Sequence, residues 1–431
     1  MKVDIAKLPH SLVRLDIQID LPQSEELWQK AENNVAAKTE LPGFRPGKAP
    51  IEIVRQKVSG KVFFDEFINL VLPKTFAQAV VENKLETIGK PQIELKGEAI
   101  NDQGFSYAAT VAVVPAVTVP DLETFKKITR DEVKVEDKEI NDAINELREL
   151  RATEAAVDRG VVAGDMVRLD VQIKKQGIAV EGGEVMNYPC LAGRKQVLVE
   201  IDAAIIGMKA DDKKNLDIKF PTDYKNKNLA GTVAQADITV RQVFERALPE
   251  VSDDFVKGLG NFKDAEDFKK RLTENIEHEK AHQGQQDLEN KVFDLLLAES
   301  QVVDIPETSV VLEIDRIMAE IGEDLAHQKA TLENYLQHLG ITEEKYRENL
   351  KSAAEKRARL GFVLRALAKK MDLEITDEEV NQNIKKLAPN LGANEEIDTT
   401  AIRNYLLYQK TVKKVLEALV DGPAFLDHNH D

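Results

Sequence analysis

The sequence has almost no cysteine, and its apolar residues never form a long run. Cys190 is the only cysteine, which excludes a disulfide framework and a cysteine-based zinc site. No segment approaches the roughly 18 consecutive apolar residues of a membrane-spanning helix, so we expect no membrane partner. The first residues, Met1 to Lys7, also lack the apolar run of a signal peptide. The sequence therefore predicts a soluble, cytoplasmic protein.

Positive charges are outnumbered by negative charges. The chain of 431 residues has 59 Lys and Arg against 76 Asp and Glu, a formal charge of −17, which argues against broad, non-specific nucleic-acid binding. Residues 38–61 are the exception, because they carry six cations and two anions. Any contact with RNA is therefore expected to be local to this basic segment. A P-loop pattern is absent as well, so ATP is not implied and we expect no cofactor.

A loop within the basic segment separates two helical patterns. Each of its prolines fixes its own φ and biases the preceding residue away from the helix, so we expect a stiff, exposed loop. Phe44 offers apolar contact area, while Arg45 and Lys48 can reach phosphate or carboxylate oxygens. The alternative is a plain helix connection with Phe44 folded back onto the core. The prolines and glycines that define the loop are Pro42, Gly43, Pro46, Gly47 and Pro50.

The flanking patterns place this loop. Alternation of apolar and polar residues predicts a strand over 13–19, and Ser24 is predicted to cap the helix that follows. A phenylalanine-rich helix is predicted over 63–72, and two more alternating runs predict strands over 93–95 and 105–113. A small sheet with helices on one side is the simplest arrangement. It puts the loop at the tip of a helical hairpin, which favours an exposed docking loop.

The pattern Gly-Phe-Arg-x-Gly-Lys-x-Pro, in this strand–helix context, resembles the ribosome-binding domain of bacterial trigger factors. The resemblance covers the whole chain in domain order. It implies docking on the large ribosomal subunit near the exit tunnel, on ribosomal protein and rRNA, and binding of nascent or unfolded polypeptides. It leaves open a homodimer off the ribosome, and the alternative function is a free cytosolic chaperone and prolyl isomerase without ribosome docking. The ribosome-binding residues would be Gly43, Phe44, Arg45, Gly47 and Lys48.

Composition shifts and the resemblance together predict an α+β multidomain fold. Residues 1–115 are expected to form the ribosome-binding domain. Residues 116–151 are expected to form a linker and a helix that packs with the C-terminal domain. Residues 152–247 are expected to form a β-rich domain like an FKBP-type peptidyl-prolyl isomerase. Residues 248–431 are expected to form a helical, substrate-binding chaperone domain.

Several short strands with glycine turns predict the β-rich domain, and Phe220-Pro221-x-x-Tyr224 and Leu229-Ala230-Gly231 resemble FKBP-type isomerases. The resemblance implies a pocket of aromatic and apolar walls that encloses a proline. Because Val180, Ile201 and Ala236 stand at positions that are aromatic in that family, we expect weak or absent isomerase activity. The alternative is that the two tyrosines are ordinary half-buried strand residues. The predicted pocket consists of Tyr188, Tyr224, Ile201, Val197, Leu198, Val180 and Glu181.

Helical periodicity takes over from about Pro249. Apolar side chains on single helix faces suit the binding of unfolded chains, because such surfaces re-pack around varied partners. Ordinary helix–helix core is the alternative for each residue taken alone. The candidate client-binding residues are Met318, Ile321, Leu325, Tyr335 and Leu339.

One motif points to a different chemistry. His278-Glu279-x-x-His282 fits a pattern in which two imidazoles hold zinc and the glutamate acts as base. Leu288 stands where the longer metzincin pattern has its third histidine, and the surrounding sequence is polar nearly all round. We interpret the motif as a surface coincidence and expect no metal site, with a zinc protease as the remaining alternative.

Overall fold

Two compact units divide the chain: residues 1–131 together with 284–431, and residues 132–283. The computed structural model describes every residue except 43, 46, 97–103, 176, 223, 225, 228, 388–397 and 423–431. Among the residues that it describes, no helix is long and apolar enough to cross a membrane.

A four-stranded antiparallel sheet begins the first unit, in the order β1-β2-β4-β3. Leu15 lies opposite Ala109 and Ile17 opposite Tyr107, so the apolar residues of β2 and β4 share the buried face that their alternation predicts. Strand β1 was not predicted; it is an edge strand whose residues are mostly exposed. The strands are β1 (Lys2–Leu8), β2 (Leu12–Ile19), β3 (Thr87–Leu95) and β4 (Phe105–Val113).

Three helices complete this N-terminal part: α1 (Leu21–Lys38), α2 (Ile51–Lys57) and α3 (Gly60–Glu82). The ring of Phe67 lies between Trp28 and Phe105, with centroids 5.6 and 5.1 Å away. The Tyr107 hydroxyl is hydrogen-bonded to Thr75 Oγ1 at 2.8 Å. The phenylalanine-rich stretch therefore forms core, as its helical spacing predicts.

Ser24 does not cap α1, so that prediction was wrong. Asp20 occupies the cap position and accepts a hydrogen bond from the Gln23 N–H at 3.1 Å. Ser24 is buried within the first turn, where its hydroxyl donates to the Ile19 carbonyl at 3.3 Å. Both residue types are good caps, and α1 begins earlier than its apolar periodicity alone indicates.

The rest of the first unit is helical. Helices α8 and α10 pack through Val310, Ile314 and Ala354, and residues of α7, α10 and α12 share a second core. The helices are α7 (Ala265–Glu299), α8 (Glu307–His327), α9 (Leu332–Leu339), α10 (Glu343–Lys370), α11 (Asp377–Leu387) and α12 (Thr399–Leu419).

Short strand pairs fix the segment that follows β4. β5 (Val117–Thr118) pairs antiparallel with β12 (Gln301–Val302). β6 (Ile128–Thr129) pairs in parallel with β13 (Val420–Asp421). The extended stretch after Pro115 is therefore hydrogen-bonded to the helical part at two places.

The second unit contains a five-stranded sheet in the order β10-β11-β8-β9, with β7 paired to β11. Its apolar face packs on α5 through residues such as Leu169, Ile205 and Ile238. Strands β9 and β11 have 14 and 15 residues, so the expectation of short strands was wrong for these two. The elements are α4 (Asp137–Leu150), β7 (Thr153–Ala156), β8 (Met166–Lys175), β9 (Ile178–Leu191), α5 (Val199–Ile205), β10 (Lys213–Lys219), β11 (Val233–Ala247) and α6 (Asp253–Leu259), followed by the first part of α7.

Candidate functional site

The loop between α1 and α2 is held by its own backbone. The Phe44 N–H donates to the Leu41 carbonyl at 3.1 Å, and the Lys48 N–H donates to the Arg45 carbonyl at 2.9 Å. The Gly47 N–H returns to the Thr39 carbonyl at 3.3 Å. Gly47 has a φ of +73°, and a Cβ there would lie 2.5 Å from the Ala37 carbonyl oxygen. Only glycine therefore fits this turn without displacing the end of α1.

Three predicted loop side chains are exposed. Phe44 is 39% exposed and does not belong to the apolar cluster beneath the loop. Arg45 and Lys48 are exposed, and their side chains make no ion pair or hydrogen bond with any residue that the structure describes. Gly43, another predicted contact residue, lies outside the described residues, as does Pro46. The loop therefore exposes an aromatic ring and two cations that have no ion-pair partner among the described residues.

The base of the loop has paired charges instead. Glu32, which is buried, accepts hydrogen bonds from Arg55 at 2.8 and 2.5 Å and from the Trp28 indole at 2.9 Å. The hydrogen bond to Glu32 raises the pKa of the Arg55 guanidinium above its ordinary value. Val54 and Phe63 are buried beneath this pair. No sequence pattern predicted this ion pair, because Glu32 and Arg55 lie in different helices.

A second contact ties α1 to α3 near the loop. The Asn34 side-chain amide donates to Glu66 at 2.8 Å, and Lys38 donates to the same carboxylate at 3.3 Å. The hydrogen bond from Asn34 and then the cation of Lys38 hold the pKa of Glu66 below its usual range, against the opposing effect of partial burial. Lys38 is therefore paired with Glu66, whereas Arg45 and Lys48 at the tip have no such partner among the described residues.

A cavity of about 420 Å³ opens in the second unit between α5 and the sheet. It brings together five of the seven predicted pocket residues: Tyr188, Tyr224, Ile201, Val197 and Leu198. Val180 packs at the edge of the domain core and Glu181 is exposed, and neither lines the cavity. The remaining lining residues were not predicted to belong to the pocket: Val171, Ile173, Gly182, Gly183, Val185, Gln196, Phe220, Asn226 and Leu229.

The cavity walls are apolar and partly aromatic. Phe220 and Tyr224 meet edge to face, with ring centroids 4.8 Å apart, while Tyr188 is 40% exposed at the opening. None of its lining residues is charged, so the cavity offers no ionised group for acid–base chemistry. The cavity can exclude water from a bound apolar group and contact that group with aromatic rings.

The five candidate client-binding residues differ in exposure. Met318 is buried in the core between α8 and α10. Ile321, Leu325 and Tyr335 are half-buried, and the Tyr335 ring lies 6.2 Å from that of Tyr346. Leu339, at the end of α9, is 46% exposed. Met318 is therefore a core residue, whereas Leu339 is exposed.

The two histidines of the zinc-protease pattern, His278 and His282, are both exposed on α7. In the part of the chain that the structure describes, no cluster of three or more His, Cys, Asp or Glu side chains is arranged to hold a metal ion.

Three family models match successive parts of the chain. The family models for bacterial trigger factor protein match residues 1–147 and, for its C-terminus, 264–420. The model for FKBP-type peptidyl-prolyl cis-trans isomerase matches residues 158–243. Trigger factor from Carboxydothermus hydrogenoformans is 30% identical over 389 residues, covering 90% of both chains. The chain belongs to the trigger factor family.

A second relative is similar over nearly the whole chain. Trigger factor from Clostridium tetani is 29% identical and covers 98% of this chain and 99% of its own. A solved structure described as "Promiscuous Substrate Recognition in Folding and Assembly Activities of the Trigger Factor Chaperone" is 19% identical, with a TM-score of 0.45, over 97% of this chain and 99% of that chain. The predicted resemblance and the α+β multidomain fold are both confirmed. The domain boundaries and the individual site residues stay predictions.

Proposed function

We propose that the protein is a ribosome-associated, ATP-independent chaperone that docks through the loop at 41–50 and shields emerging chains. The observation that carries this proposal is the contrast within the basic segment. Arg55 and Lys38 are paired at the base of the loop, whereas Phe44 is exposed and Arg45 and Lys48 are uncommitted at its tip. Cations that are free of internal partners are available to phosphate or carboxylate oxygens of a large partner.

Net charge supports an oriented docking. The chain carries a charge of −17, which repels the phosphate backbone of ribosomal RNA over most of its surface. The basic tip is then the part that approaches RNA, and Phe44 adds apolar contact with ribosomal protein. Docking should weaken as salt rises, because exposed charges are screened.

The test is co-sedimentation with bacterial ribosomes. Wild type is compared with the double variant Phe44→Ala/Arg45→Ala and with a matched control, Val81→Ala/Lys84→Ala, which removes an exposed apolar side chain and an exposed cation from the same part of the chain. Wild type and control are expected to pellet, and the loop variant to stay in the supernatant. Pelleting of the loop variant to the wild-type extent would rule out docking through the loop.

We infer that the cavity of the second unit binds apolar segments of client chains and isomerises prolines weakly. Prolyl isomerisation crosses a barrier of about 18–20 kcal/mol, which an enzyme lowers by enclosing and desolvating the twisted imide. Tyr188, Phe220 and Tyr224 supply aromatic contact, while Ile201 gives a smaller wall than an aromatic ring would. A proline-peptide isomerisation assay should show low activity that Tyr224→Ala lowers further.

A free chaperone and prolyl isomerase without ribosome docking is the second candidate, and the cavity is the observation that favours it. The cavity needs no ribosome contact to hold an apolar segment. If wild type fails to pellet with ribosomes but retains isomerase activity that depends on Tyr224, this second candidate replaces the first.

A further inference from the structure

A cavity of about 380 Å³ lies between α8, α10 and α12 in the first unit. None of the predicted client-binding residues lines it. Ser309, in the first turn of α8, does line it and is only 6% exposed. Its Oγ finds no hydrogen-bond partner among the described residues. A buried hydroxyl that faces a cavity is a ready partner for a polar atom of an occupant.

A glycine keeps the cavity open from the side of α10. Gly361 lies inside this 28-residue helix, although glycine is the least favourable helix residue after proline. Neither crowding nor backbone geometry requires it, since a Cβ there would meet nothing within 4 Å and its φ is not positive. Because Gly361 lines the cavity, a larger side chain at this position would enter that space.

The mouth of the cavity continues onto exposed apolar surface. Leu312 and Tyr408 both line it and are both exposed. The arginines at its rim are already paired, Arg316 with Glu313 at 2.6 Å and Arg365 with Glu86 at 3.1 Å. Because the surface at the mouth is apolar and the nearby cations are already paired, the occupant is expected to be an apolar chain rather than an anion.

We propose that this cavity takes one apolar side chain of an extended, unfolded polypeptide. Ser309 is then hydrogen-bonded to the main chain of that polypeptide. The residues that flank the bound side chain lie on Leu312 and Tyr408. The volume of about 380 Å³ lies at the low end of the roughly 300–1,000 Å³ of small-molecule pockets, so the cavity has room for a side chain together with part of its main chain. The inference rests on the proposed chaperone function, and it adds a specific subsite.

The test uses the full chain and a fluorescein-labelled decapeptide of leucine, phenylalanine and serine, followed by fluorescence anisotropy. Gly361→Leu fills the cavity and is expected to weaken binding by about tenfold or more. Ser309→Ala removes only the hydroxyl and is expected to weaken binding about 3- to 10-fold. Gly284→Leu is the matched control, since Gly284 also lies within a helix with open space around it but does not line the cavity. Its binding should equal wild type, and thermal unfolding checks that all three variants fold.

Each other outcome overturns the inference. Equal peptide binding by wild type and Gly361→Leu places the peptide elsewhere, and absence of binding by wild type removes the subsite altogether. In both cases ribosome co-sedimentation of the same samples still reports on the proposed function separately. Dodecanoate is measured in parallel: if Gly361→Leu loses dodecanoate but keeps the peptide, the occupant is a small amphiphile and the polypeptide assignment is wrong.

Discussion

The loop at 41–50 and the cavity of the β-rich unit are built on opposite principles. The loop is one contiguous stretch that exposes an aromatic ring and two cations, and the ion pair between Arg55 and Glu32 stabilises its base. The cavity is recessed, has no charged lining residue, and is assembled from β8, β9, α5 and the segment before β11. The loop therefore suits a large, charged partner, whereas the cavity suits an apolar group of any chain that can reach it.

This difference also affects how the proposed binding relates to stability in the two regions. At the loop tip the proposed contact side chains are exposed, so we expect them to contribute little to the fold. The walls of the cavity belong to the domain core, since Ile201, Phe220 and Leu229 are all nearly fully buried. Substitutions should therefore uncouple binding from stability in the loop and couple them in the cavity.

Two phenylalanines give the largest expected contrast. Phe63 is buried beneath the loop, so Phe63→Ala should destabilise the N-terminal part by about 3–5 kcal/mol. Phe44→Ala should change its stability by no more than about 0.5 kcal/mol, because the ring is exposed. Urea unfolding followed by the fluorescence of Trp28, the only tryptophan, measures both. Similar losses for the two variants would mean that Phe44 is a core residue.

Gly47→Ala should have the next largest effect. A methyl group would lie 2.5 Å from the Ala37 carbonyl oxygen in a left-handed conformation, which costs about 1–3 kcal/mol and shifts the loop. Both Trp28-detected stability and ribosome pelleting should fall. Gly60→Ala is the matched control, since a Cβ there meets nothing within 4 Å, and it should be neutral or slightly stabilising. An unchanged Gly47→Ala protein would show that the loop geometry is not fixed by this turn.

The loop and the contacts that support it differ in how far the sequence predicts them. The loop was predictable because proline, glycine and charge act within a few residues of one another. The ion pair at its base was not, because the pairing of Glu32 with Arg55 depends on how two helices pack. The edge strand β1 was missed because an exposed strand lacks the buried alternation that marks β2.

The cavity was predictable only in part. Positions matched to FKBP-type isomerases identified Tyr188, Tyr224 and Ile201, which all line it. Phe220 was known as part of a motif but was not assigned to the pocket. Local sequence cannot show that its ring meets Tyr224 at 4.8 Å inside the cavity, because that contact depends on the turn between them.

Enlarging one wall of the cavity tests whether the small walls limit catalysis. Ile201→Trp adds an aromatic wall to a residue that lines the cavity, and we expect prolyl isomerase kcat/KM to rise about tenfold, equivalent to about 1.4 kcal/mol. Ile205→Trp is the matched control, because Ile205 is buried in the same helix but does not line the cavity. It should overpack the core without any gain in activity.

Alkylation of Cys190 checks the fold of both tryptophan variants. Burial, with a smaller contribution from Asp202, raises the pKa of this thiol to about 11, so the folded domain should react slowly at pH 8. Slow alkylation together with unchanged isomerase activity of Ile201→Trp would mean that wall size does not limit the rate.

Glu66 provides the smallest effect and the finest test of the comparison. Its folded-state pKa is lowered, chiefly by the hydrogen bond from Asn34. Its contribution to stability is therefore complete above its unfolded pKa of about 4.3 and is lost as pH falls through the lowered value. Between about pH 5 and pH 3, Trp28-detected stability of Glu66→Gln should fall less steeply than that of wild type. If the slopes of wild type and Glu66→Gln coincide, the contacts of Glu66 with Asn34 and Lys38 add no stability, and the distinction between the paired cation at the base of the loop and the unpaired cations at its tip loses this support.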